Sequence, residues 1–101
     1  MAKLYIVEFA STAIDARGQH VMAPQYPAAV KQPALTISGT HAESAAFGGT
    51  TRFIQYHTDA ICSVDIGDAP IADATFDRMA ANETRFVGVM PGHKLSVISN
   101  T

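Results

Sequence analysis

The chain closes on two short apolar runs separated by a Pro-Gly turn. Arg85-Phe86-Val87-Gly88-Val89 is the first run and Lys94-Leu95-Ser96-Val97-Ile98-Ser99 the second, with Met90-Pro91-Gly92-His93 between them. Proline presets φ for the second position of a turn, and glycine supplies the positive φ that a type II turn needs at its third. The pattern predicts a β-hairpin over Arg85 to Thr101, and with it a β protein.

The rest of the chain repeats this grammar. Leu4 to Phe9 reads as a first strand, with Tyr5, Val7 and Phe9 on one face and Leu4 and Ile6 on the other. Both faces are apolar, which marks a strand that is sandwiched or covered by a partner. Arg17-Gly18 is a turn signal, a short strand fits His20 to Ala23, and Pro24 and Pro27 act as breakers after that strand. Pro33 to Ser38 is a third strand with Leu35 and Ile37 inward, and His41 to Phe47 a weaker one. Gly48-Gly49 predicts a tight hairpin turn into Thr51 to Thr58, the run richest in β-branched and aromatic residues. The next strand runs through Cys62 and ends at Gly67-Asp68-Ala69-Pro70. From Ile71 to Glu83 two readings stand: a helix, from the spacing of Ile71, Ala74, Thr75 and Arg78, or a long loop with a short strand. Short strands punctuated by Gly and Pro predict one all-β domain over residues 1–101. The expected architecture is an antiparallel β-sandwich, jelly-roll-like, of about eight short strands.

Composition narrows the function. Charged residues make up 16% of the 101 residues, against an average of about 25%. A small domain so short of charge either has part of its surface covered by another protein or carries Ala, Thr and Ser where charges usually stand. The cations Lys3, Arg17, Lys31, Arg52, Arg78, Arg85 and Lys94 are scattered singly, so no basic stripe tracks a phosphate backbone and nucleic acid is not an expected partner. The N-terminal run has a charge inside it and no clear cleavage site, and no stretch has the length of a membrane span. A cytosolic site of synthesis and assembly is expected, with no membrane partner.

Catalytic and metal signatures are missing from the pattern. The lone Cys62 excludes an internal disulfide and a thiolate zinc site, and its strand face of Ala60, Val64 and Ile66 predicts a buried, inert thiol. His20, His41, His57 and His93 never form the His-x-His pair that a barrel metal site takes from one strand face. Asp65, Asp68, Asp73 and Asp77 lack the ligand order of an EF-hand. A loop ion site near Asp65, Asp68 and Asp73 stays open beside the commoner role of solvated carboxylates. No nucleophile elbow, P-loop or dinucleotide fingerprint occurs. No enzyme and no cofactor is expected.

Three segments together carry a resemblance: Arg52-Phe53-Ile54-Gln55-Tyr56-His57, Val64-Asp65-Ile66-Gly67-Asp68-Ala69-Pro70, and Phe86 to Ile98 with its Val89-Met90-Pro91-Gly92 turn. Their order resembles small virion proteins of tailed bacteriophages, the capsid cement or decoration type. In these a strand ends in a Gly-x-x-Pro turn, a variable loop comes next, and a Val-x-Pro-Gly hairpin closes the chain. The resemblance covers about half of the chain, through turns rather than chemistry. It implies a jelly-roll sandwich on the outside of an assembled head, the phage major capsid protein as partner, and location on the virion's capsid surface. By elimination from the core strands, the contact elements are the first strand, the 10–32 segment and the 71–83 loop, with Leu4, Ile6, Tyr26, Pro27, Ile71 and Phe76 as contact residues. Self-association as a dimer or trimer through a strand edge fits the same picture. A head-tail connector or tail-associated protein is the alternative within the virion. A small-ligand or carbohydrate-binding sandwich stands behind both, because such modules display Trp or Tyr platforms and this chain has no Trp.

Overall fold

The computed structural model describes residues 2–73, 75 and 77–100. Eleven strands and no helix occur among these residues, where about eight strands were expected: β1 (Lys3–Phe9), β2 (Thr12–Ile14), β3 (His20–Pro24), β4 (Val30–Lys31), β5 (Leu35–Thr36), β6 (Ala42–Glu43), β7 (Phe53–Thr58), β8 (Cys62–Gly67), β9 (Arg78–Met79), β10 (Thr84–Gly88) and β11 (Lys94–Ser99). The larger sheet runs β10-β7-β1-β4, with β5 also on β1, and the smaller runs β6-β11-β8-β9. β2 and β3 form a separate two-stranded ribbon, and every pairing is antiparallel.

The two sheets pack face to face as a β-sandwich. Leu4, Ile6, Ile54 and Tyr56 come from the larger sheet and Cys62, Val64, Met79, Leu95 and Val97 from the smaller, with Ile37 and Phe47 completing the core. Strand alternation explains the selection. On β7 the residues Ile54, Tyr56 and Thr58 are buried while Phe53, Gln55 and His57 face outward, only half-buried. Arg85, on the inward side of β10, ties the sheets at their edge. Its Nη1 bonds Asp77 at 2.8 Å, its Nη2 donates to the Arg78 carbonyl at 2.8 Å, and its Nε donates to Glu83. The Ala80 backbone N–H and then Arg85 hold the Glu83 carboxyl below the usual glutamate range.

The closing hairpin is corrected. Its turn forms as expected, with Gly92 at φ +84° and the His93 N–H donating to the Met90 carbonyl at 3.2 Å. Its two strands, however, lie in different sheets: β10 pairs with β7, and β11 with β8 and β6. The turn is a corner between sheets, and its outer partner is Phe47, which accepts from Gly92 at 2.9 Å and donates to His93 at 2.8 Å. Gly48-Gly49 is corrected for the same reason, since β6 and β7 sit in opposite sheets. A turn sequence specifies a local reversal of the chain. Which strand receives each arm is decided by distant pairing, and a sandwich offers two sheets about 10 Å apart. Of the two readings for 71–83, the described residues adopt the second, a loop with the short strand β9.

Cys62 is fully buried in the core, where burial pushes its thiol up. Ellman's reagent should therefore modify it at least about 10³-fold more slowly in the native protein than in denaturant, at a rate set by opening of the sandwich.

Candidate interaction surface

The outer faces of the two sheets differ sharply. Outside the smaller sheet lie Glu43, Ser63, Asp65, Arg78, Lys94, Ser96 and Ile98, a mainly polar set placed by the register. Much of it is covered. Ser96 is buried and accepts the Ala72 N–H at 3.0 Å, with His41 Nδ1 at 3.2 Å, so the 68–73 segment lies over it. Asn100 closes the other end, donating to Ser63 Oγ at 2.8 Å.

Outside the larger sheet lie Lys3, Tyr5, Val7, Phe9, Lys31, Phe53, Gln55, His57, Thr84 and Phe86, a face aromatic along β1, β7 and β10 with Lys3 and Lys31 toward its β4–β5 edge. His57 and Thr84 share a 2.7 Å hydrogen bond across the β7–β10 pair, and the Tyr5 ring lies 6.4 Å from that of His57. Asp59 accepts from the Tyr5 hydroxyl at 3.3 Å, and its charge raises the phenol's pKa.

The β2–β3 ribbon stands over one end of this face as an arm. Its tip is a three-residue loop built by Asp15, whose carboxylate accepts from the Arg17 and Gln19 N–H groups at 2.8 and 3.0 Å. Gly18 at φ +80° supplies the left-handed residue that such a loop requires. At the root, Phe9 stacks on Phe53 with ring centroids 5.2 Å apart and meets the Tyr26 ring edge-on at 5.2 Å. The arm itself is exposed, with only Pro24 of β3 half-buried. Met22 is 104% exposed, beside exposed Ile14 and Val21. A cleft of about 480 Å³ separates the arm from the sheet, lined mainly by apolar groups of Val21, Met22, Pro24, Phe53, Phe86 and Val87.

The expected contact residues scatter. Leu4 and Ile6 are corrected: at 0% and 1% exposed they fill the core and reach no partner, because the face they share is the inner one. Tyr26 and Pro27 are exposed at the root of the arm, joined by a cis peptide bond. Ile71 is exposed on the opposite side of the sandwich, next to the Ala72 that covers Ser96, so the fold does not bring it to Tyr26. Phe76 lies outside the described residues. Sequence reasoning missed Met22 and Phe86. The signal for Phe86 was its alternation with Arg85 and Val87, which sets it on the face opposite theirs.

Among the described residues no three His, Cys, Asp or Glu side chains are placed to hold a metal ion. The histidines are dispersed, with His20 on Thr12 at 2.7 Å, His41 on Ser96 and His57 on Thr84. Asp77 serves Arg85, and Asp73 accepts from Thr75 N–H and Oγ1–H, which lowers its pKa. No described helix is long and apolar enough to cross a membrane. The chain matches no protein-family model, and no curated protein or solved structure is significantly similar to it.

Proposed function

We propose that this protein is a structural virion protein that binds the outside of an assembled phage capsid and stabilises it, with the major capsid protein as its partner. The observation that carries the reading is the one-sidedness of the sandwich. An exposed apolar arm and an aromatic sheet face lie together, while the opposite face is polar and largely covered by the chain itself. Exposed apolar patches of this kind mark protein contact sites. The low charge content and the turn-and-strand order of residues 52–98 support the same reading. The chain also changes sheet at five connections: β5 to β6, β6 to β7, β7 to β8, β9 to β10 and β10 to β11. Such alternation is what a jelly roll of paired Greek keys requires, and it supports that finer description.

A cement protein binds the shell and not the free subunit, so mass action favours the assembled state. The contact is assigned to the arm and the larger sheet's outer face, with Met22 and Tyr26 as central residues in place of Leu4 and Ile6. The test is sedimentation of heads lacking the protein, mixed with purified protein. Wild type should pellet with the heads at a copy number in the hundreds and raise their rupture temperature. Met22→Lys should bind at least about tenfold more weakly, a loss of roughly 1.4 kcal/mol. No pelleting, or saturation near a dozen copies as a connector ring would give, overturns the reading.

A further inference from the structure

We infer that the open edge of β10 is a self-association site, where two copies pair β10 to β10 antiparallel across a two-fold axis. This goes beyond capsid binding and does not depend on it. The edge strands β4, β5, β6 and β9 are each two residues long, the usual way of blunting a sheet edge. Among the outer strands of the two sandwich sheets β10 is the exception at five residues, matched in length by β3 of the ribbon, which ends in Pro24, and β7 is its one partner among the described strands.

Its hydrogen-bonding edge can be read from the ladder. Thr58 N–H donates to the Glu83 carbonyl at 3.1 Å and Val89 N–H to the Arg52 carbonyl at 3.0 Å, one bond at each end of the β7–β10 pair. Antiparallel alternation between them turns the backbone groups of Arg85 and Val87 toward β7. Those of Thr84, Phe86 and Gly88 point to the open edge. None of these three is charged or a proline, so the edge lacks the residues that usually repel a second strand.

The three positions are symmetric about Phe86, and that commits the occupant to a second copy. A two-fold axis at Phe86 sets it opposite the partner's Phe86, and Thr84 opposite the partner's Gly88, each pair exchanging both backbone bonds. Gly88 fits this independently. A Cβ there would meet the Arg52 carbonyl at 3.9 Å, ordinary contact, so nothing in its own chain calls for glycine. Glycine inside a strand weakens it and often marks close approach of another backbone. Charge is compatible as well, because Arg85, the one charged residue of β10, is paired with Asp77 and Glu83 of its own chain.

Phe86 is 57% exposed on β10 itself, so its ring is available to pack against the partner's Phe86 across the axis.

Sedimentation equilibrium of the full chain at about 100 μM tests the inference. Wild type should run at twice the 10.7 kDa chain mass. Phe86→Lys should run as a monomer with its far-ultraviolet circular dichroism unchanged. Should that variant fail to fold, Gly88→Pro decides: the Gly88 N–H points to the open edge, so proline removes a bond to the partner and none within its own sheet, and dimer affinity should fall at least about tenfold. Ile71→Lys, on the opposite face, should remain dimeric. A wild type that stays monomeric overturns the inference, as does a dimer that Gly88→Pro leaves intact or that Ile71→Lys dissociates.

Discussion

Replacing Glu8 with leucine should cost about 3 kcal/mol of folding free energy, which in a domain of this size lowers the melting temperature by roughly 10–25 °C. Glu8 is fully buried on the inner face of β1, beyond Leu4 and Ile6. Its Oε1 accepts the Thr51 hydroxyl at 2.6 Å and the Gly48 N–H at 2.9 Å, and its Oε2 accepts from Gln32 Nε2 at 2.7 Å. Gln32 continues the network to the backbone of Ala45. The carboxylate thus pins the segment in which the chain crosses from β6 in one sheet to β7 in the other.

Leucine fills similar space but leaves those donors facing an apolar group, and each buried donor left unpaired costs about 1–3 kcal/mol. Gln32, half-buried, recovers part of its bonding from water. Glu8→Gln keeps one acceptor oxygen and should fall between wild type and leucine. In the double variant Glu8→Leu/Thr51→Val both partners are apolar, so its loss should be smaller than the sum of the two single losses. Thermal melts of wild type, Glu8→Gln, Glu8→Leu, Thr51→Val and the double variant check the order. A Glu8→Leu protein that melts with wild type would remove the network from the account of stability.

Glu8 also shows what was legible in the residues. It is the one acid in the Leu4–Phe9 run, and alternation sets it on the face of Leu4 and Ile6. That the face is shared is a matter of geometry. That it is the buried one depends on Leu95, Val97 and Val64, which come from strands far along the chain. The same holds for Pro91-Gly92, where two residues specify the turn while the assignment of its strands to separate sheets rests on β7 and β8. The apolar excess of the first strand was visible too. It is covered outside by the chain's own arm over Phe9 and left open at Tyr5, a division that local pattern does not encode. β4 was indistinct because two residues carry no periodicity, while the Pro33–Ser38 and His41–Phe47 runs do hold strands, but only the two-residue β5 and β6. Met22 was hidden for a related reason: in a free-standing ribbon neither face of the strand must be apolar.

Phe9→Ala should destabilise the protein by about 3 kcal/mol and, beyond that, release the arm. Phe9 is fully buried although it lies on the outer face of the larger sheet, because Phe53 and Tyr26 enclose its ring. The arm begins immediately after it, and its root is closed by Gln25 N–H donating to the Ser11 carbonyl at 3.1 Å. A two-stranded ribbon is marginal on its own, so its order depends on this anchorage. Loss of the ring removes the surface on which Tyr26 rests, and local opening of the arm becomes easier than opening of the sandwich. Trypsin reports this directly through Arg17, exposed in the tip loop. Cleavage after Arg17 should quicken at least about tenfold in Phe9→Ala under conditions where the circular dichroism stays native. Phe9→Leu, which restores most of the buried volume without the aromatic contacts, should recover most of the stability and less of the protection. If cleavage kept its wild-type rate while the melting temperature fell, the aromatic trio would support the sheet but not the arm, and the arm would need another anchor.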